Sequence, residues 1–145
     1  LQNVNRFYFE KEIKNISRRY NDFFTILIAS LITKRFAEEK QPLTVDEISM
    51  KHAIPISLTN QIVNSLLDIK VISPTPSSSA EEIMAYQPAF DINLMSVSLL
   101  MEKIDSFGSE DFDIDIDNEF KPHWDALMQL RIYSNEGGDL LLKDL

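Results

Sequence analysis

At 145 residues, with 44% hydrophobic and 26% charged side chains, the chain is long enough for one domain with one real core. It contains no cysteine, which excludes disulfides, thiolate zinc sites and thiol nucleophiles. The net charge of −9 divides into +4 over residues 1–35 and −13 over the remainder, a basic head on an acidic body.

The chain opens at Leu1 without a methionine, which reads as a piece of a longer protein. Its first stretch, LQNVNRFYFEKEIKN, is too polar for a signal peptide. Ser17 is placed to cap a helix over Arg18–Ala37, where Tyr20, Phe23, Phe24, Leu27, Ile28, Leu31 and Ile32 recur at three- and four-residue steps. The apolar run inside it, FFTILIASLI, is about half of the roughly 20 residues a membrane span needs, so it predicts a core helix. Pro42 is the expected stop.

Thr44 with Glu47 three residues on predicts a capping box at the start of a short helix, with Val45, Ile48 and Met50 facing inward. Ala53-Ile54-Pro55 makes a turn, because a residue before proline is pushed out of helical conformation. A second helix follows, with Leu58, Ile62, Leu66 and Ile69 on one stripe widened by Val63 and Leu67. VIS and IMAY read as two strands joined by the loop PTPSSSAEE, the second closed by Pro88. A helix-turn-helix followed by two short strands is a winged helix. Asn93 is the expected cap of a helix over LMSVSLLMEKIDSF, ended by Gly108, and a last helix surrounds FKPHWDALMQLRIY. Trp124, Leu127, Met128, Leu130 and Ile132 in that helix are expected to be core. The fold predicted is mostly α: a winged helix-turn-helix with a small two-stranded wing and additional C-terminal helices. Residues 1–19 form a basic lead segment, 20–91 the winged core and 92–145 a helical extension, together one compact domain.

The carboxylates of DFDIDID invite a calcium reading. With Asp113, Asp115 and Asp117 at loop positions one, three and five, Asn118 stands where glycine is wanted and Trp124 where a bidentate glutamate is needed. Alternation with Phe112, Ile114 and Ile116 instead predicts a half-buried strand. His52 and His123 have no nucleophile and carboxylate arranged around them, and glycine occurs only at 108, 137 and 138, so no phosphate-cradling loop exists. No catalytic, metal or cofactor residue is assigned, and no enzymatic activity is expected.

Three passages together resemble the C-terminal part of the YihY/BrkB family of bacterial inner-membrane proteins, often labelled ribonuclease BN-like: LQNVNRFYFEKEIKNIS, PLTVDEISMKHAIPISLTNQIVNSLLDIKVIS and AYQPAFDINLMSV. The likeness covers roughly residues 1–107. It implies a membrane-anchored, transporter-like parent whose last membrane helix precedes residue 1, making 1–19 juxtamembrane at the cytoplasmic face of the inner membrane. Arg6, Lys11, Lys14, Arg18 and Arg19 would then face the membrane surface, since basic residues gather beside membrane helices and are drawn to anionic headgroups. The function expected on this basis is an interaction or regulatory module, with a protein partner or the parent's own membrane part as ligand.

On the second helix Ile56, Ser57, Thr59, Asn60 and Asn64, with Gln61 and Asp68, are the expected solvent-facing set. Asn and Gln can read adenine edges. Strong DNA binders, however, make about 6–10 phosphate contacts, and this helix has no Arg or Lys before Lys70, while Glu81 and Glu82 sit in the wing. The expectation is therefore against DNA binding. The alternatives are a winged-helix transcription regulator free of any membrane, or a tRNA-processing ribonuclease as the family label suggests.

Overall fold

The computed structural model describes residues 12–80 and 82–145. Arg6, Lys11 and Glu81 lie outside the described residues. Helix α1 spans Arg18–Ala37, and Ser17 caps it as expected, its hydroxyl accepting from the Tyr20 amide at 3.2 Å. Ile28, Ala29 and Ile32 are buried along its inner side, whereas Tyr20 and Phe23 are largely exposed near its start. The buried hydroxyls of Thr25 and Thr33 donate to the carbonyls of Asn21 and Ala29, so they cost no unmade hydrogen bond. The helix ends before Pro42 is reached, because Glu39 takes a left-handed φ of 58° and turns the chain.

Strand β1 (Leu43–Thr44), helix α2 (Val45–His52) and helix α3 (Ile56–Asp68) form the helix-turn-helix. The capping box is complete: the Glu47 amide donates to the Thr44 hydroxyl at 3.1 Å, and the Thr44 amide donates to the Glu47 carboxylate at 2.9 Å. Ala53 closes α2 in the left-handed region, with φ 53°. The Ser49 hydroxyl then ties the turn by donating to the Ile54 carbonyl at 2.6 Å. Ile48, Ile54, Leu58, Ile62 and Leu66 are buried, and Leu27 and Leu31 of α1 pack against the same cluster. Met50 departs from the sequence reading: it is 84% exposed, on the outer side of α2.

Strands β2 (Ile72–Pro76) and β3 (Met84–Pro88) pair antiparallel, and β1 adds to the other side of β3, giving the order β1-β3-β2. The sheet therefore has three strands where two were predicted. Pro74 and Pro76, read from the sequence as loop, lie in β2 opposite Tyr86 and Met84. They are tolerated because β2 is an edge strand, where a missing N–H takes no bond from the ladder. The turn joining β2 and β3 is held by the Ser77 amide donating to the Ile83 carbonyl at 2.9 Å.

Helix α4 runs over Val97–Asp105 and is capped by Ser96, not Asn93. The Asn93 side chain instead donates to the Asp91 carboxylate in a local turn. From Ser106 to Gly137 no residue is buried. The DFDIDID passage is not a strand: its amides bond two residues back, Phe112 to the Glu110 carbonyl, Ile114 to Phe112 and Ile116 to Ile114, and Phe112 and Ile114 are exposed. Helix α5 (Lys121–Leu130) also buries none of its residues. Trp124 is half-buried, while Leu127, Met128, Leu130 and Ile132 face outward, so the expected core role fails for this group. Helical periodicity marks an apolar face, but it does not say whether anything covers that face.

The base of this excursion is pinned. The Asp105 carboxylate accepts from the Arg131 guanidinium and, at 2.7 Å, from the Tyr133 hydroxyl, with the Arg18 guanidinium at 4.0 Å. Burial pushes the Asp105 carboxyl up, but these hydrogen bonds and positive charges outweigh it and hold the group below the usual carboxylate range. At nearby Asp22 burial prevails over the pull of Arg18, and the carboxyl sits above its ordinary value.

The chain then returns as a strap. Val97 and Ser98 amides donate to the carbonyls of Leu140 and Gly138, each at 2.9 Å, and the Leu142 amide donates to the Met95 carbonyl at 2.9 Å. A Cβ at Gly138 would meet the Tyr133 carbonyl oxygen at 1.8 Å, so only glycine fits where the strap passes. A short 3-10 helix, η1 (Leu142–Asp144), packs on α1 and buries Leu142 completely in the main core beside Met95 and Leu100. No helix among the described residues is long and apolar enough to cross a membrane.

Candidate nucleic-acid interface

Helix α3 has two sides with different chemistry. One buries Leu58, Thr59, Ile62, Val63 and Leu66 against the core, and the other exposes Asn60, Gln61, Asn64, Ser65 and Asp68. The solvent-facing set predicted from the sequence is thus only partly brought together. Asn60 and Asn64, one turn apart, share the exposed side with Gln61. Thr59 does not: it is fully buried, and its hydroxyl donates to the Pro55 carbonyl at 3.0 Å. Ile56 and Ser57 are half-buried at the first turn, and the Ser57 hydroxyl oxygen is shielded from solvent with no partner among the described residues. Thr59 lies three and four residues before Ile62 and Val63, so a polar side chain falls on the apolar side of the helix. Its short hydroxyl can be satisfied by its own helix, which a sequence pattern does not reveal.

The three amide side chains of α3 make no hydrogen bond among the described residues. Elsewhere the side chains of Asn93, Asn118 and Asn135 are engaged in local turns with Asp91, Asp115 and Gly138. Cations stand at the ends of the unit rather than on the exposed side of α3: Lys51 and His52 at the end of α2, and exposed Lys70 in a left-handed turn after α3, with φ 61°. Of the acids in the helix-turn-helix, Asp46 is exposed and Glu47 is engaged in the capping box at the start of α2, and Asp68 is the only charge on the exposed side of α3. The wing exposes Pro74, Pro76, Ser78, Ile83 and Met84, with Glu82 the one acid described there. Among the described residues, no group of three or more His, Asp or Glu side chains could hold a metal ion.

No family model and no curated protein matches the chain. Solved structures do. CymR (YrzC), the global cysteine regulator of B. subtilis, aligns with TM-score 0.56 and 13% identity over 89% of this chain and 93% of its own. T. potens IscR aligns with TM-score 0.57 and 14% identity over 89% and 83%. Staphylococcus aureus CymR aligns with TM-score 0.54 and 13% identity over 86% and 93%. The fold is that of winged-helix regulators.

These likenesses correct the sequence reading at several points. They overturn the YihY/BrkB resemblance, and with it the ribonuclease label and the reading as an interaction module of an inner-membrane protein. The membrane-surface role for Arg6, Lys11, Lys14, Arg18 and Arg19, and the placement at the inner membrane, fall with them. Arg18 has a different neighbour, the Asp105 carboxylate. The expectation against DNA is overturned as well, since the structures sharing the fold are transcription regulators. They are regulators rather than enzymes, consistent with the absence of an assigned catalytic residue. The expectation rested on the missing Arg and Lys of the second helix and on the wing acids Glu81 and Glu82, and that local shortage of cations stands in the structure, with Lys51, His52 and Lys70 only at the ends of the helices.

Proposed function

We propose that this chain is a winged-helix transcription regulator that binds duplex DNA with α3 as its reading helix. The observation that carries this is the uncovered polar side of α3, held by a complete helix-turn-helix in the fold that the CymR and IscR structures share. In such units the second helix enters the major groove and its early residues meet base edges. Residues 20–91 would be the reading unit, and 92–145 the extension that braces α1 through Leu142.

With Lys51 and Lys70 as the flanking cations, electrostatic attraction to phosphate is modest. The affinity of one domain should then depend on salt with a slope of only about −2, at roughly 0.9 for each of the two phosphate contacts. Selection of duplexes from a randomised pool at low salt, followed by anisotropy titration of the winners, tests the proposal. The expected result is a retained duplex family bound more tightly than scrambled sequence, with loss of that preference in Asn60→Ala/Asn64→Ala. A pool that shows no enrichment over successive rounds overturns it.

A further inference from the structure

The chemistry of the reading side narrows what it can read. Guanine presents two acceptors, N7 and O6, to the major groove, and a paired contact to them needs two donors from Arg or Lys. Helix α3 has neither anywhere between Ile56 and Asp68. Cytosine presents the N4 donor, which a carboxylate accepts. The only carboxylate is Asp68, at the last position of α3, the end remote from the residues that reach base edges in this kind of docking. What α3 does present, at Asn60, Gln61 and Asn64, is the carboxamide, which has a donor and an acceptor side by side. That pair matches one base edge, adenine, with its N6 donor and N7 acceptor.

The spacing agrees. Asn60 and Asn64 are four residues apart on one side of the helix, about 6 Å along its axis. Successive bases rise about 3.4 Å, so the two amides are set to meet bases about two steps apart. Ile56, one turn earlier and half-buried, offers apolar surface where a thymine methyl would lie. None of the three amides is already satisfied within the described protein. Three uncommitted carboxamides, no guanidinium or ammonium group and one half-buried apolar edge make a surface for adenine·thymine pairs.

We infer that α3 selects duplex sites by adenine bases about two steps apart, held by the Asn60 and Asn64 carboxamides with Gln61 beside them. The inference rests on the DNA-binding reading above, and the test separates the two. The full chain is taken through selection from a randomised duplex pool, and the winners are sequenced. The expected core contains adenines at that spacing. Replacing each with 7-deazaadenine, which lacks the N7 acceptor but keeps Watson–Crick pairing, should weaken wild-type binding roughly 5- to 150-fold per site. The same replacement should leave Asn60→Ala/Asn64→Ala unchanged. Both substitutions are on exposed positions, and the circular dichroism melt of the variant should match wild type. Enrichment of a guanine·cytosine core, or equal loss from 7-deazaadenine in wild type and variant, overturns the adenine assignment while leaving DNA binding in place. If no duplex is enriched, both fall.

Discussion

Replacing Leu142 with alanine tests whether the C-terminal strap is part of the main core. Leu142 is 0% exposed and lies in one cluster with Ile28, Met95 and Leu100. Leu→Ala at such a site removes the transfer energy of the side chain and leaves a cavity, costing about 2–5 kcal/mol. That is a large share of the roughly 5–15 kcal/mol by which domains of this kind are stable. With a urea m-value of about 1–3 kcal/mol per molar, the midpoint should fall by roughly 1–2 M. Leu130→Ala is the internal control, because that side chain is 79% exposed on α5 and its removal should change stability by no more than about 0.5 kcal/mol. Urea unfolding followed by circular dichroism on the three proteins gives the comparison. If Leu142→Ala costs under half a kcal/mol, or no more than Leu130→Ala, the strap does not contribute to the core and the packing argument is wrong.

Thr44→Ala breaks the capping box and should cost about 0.5–2 kcal/mol in the same assay, whereas Thr44→Ser should recover most of the loss. The Asp105 carboxyl is held below its ordinary value of 3.8, so its contribution is present above that pH and disappears as pH falls through its folded value. The stability gap between wild type and Asp105→Asn should accordingly shrink as pH is lowered from 6 towards 2.5, and a gap that stays constant would sink this account. Asp68→Asn removes the one charge on the exposed side of α3, and should tighten binding to all duplexes alike without changing sequence preference. A changed preference in anisotropy titrations would show that Asp68 reads a base.

The winged half of the molecule was legible because each of its signals is local. A capping box spans four residues, a turn before proline three, and the Leu58–Ile62–Leu66 stripe belongs to one helix. Strand β1 escaped notice because two residues carry no periodicity, and Pro74 and Pro76 hid the length of β2 because the sequence does not state that it lies at an edge. The C-terminal part was misread for another reason. Alternation in DFDIDID and periodicity in α5 report which side of a segment is apolar, but burial depends on a partner far away in sequence. The strap shows the same limit: Leu142 in SNEGGDLLLKDL has no local mark that distinguishes it from exposed Leu140. The exposed side of α3 was recoverable from periodicity at Asn60, Gln61, Asn64 and Asp68, whereas Ile56 and Ser57 are half-buried and Thr59 is buried. What it binds was not, because the shortage of Arg and Lys on α3 bears on phosphate attraction and leaves the fold's use of that helix unread.

The strap also sets an order of assembly. The contacts among α1, the helix-turn-helix and the wing lie within residues 18–88, but the ammonium of Lys34 reaches the Leu145 carbonyl across 111 positions of sequence. Closing so long a loop carries an entropic cost that local contacts do not, and non-local contacts form slowly. During synthesis, at about 5–20 residues per second, the reading unit is complete several seconds before residues 138–142 emerge. Throughout that interval the side of α1 that η1 will cover remains open to solvent. A nascent chain at this stage already has α3 in place but still shows an unsealed apolar seam, the kind of surface that chaperones hold and that drives aggregation when they are scarce.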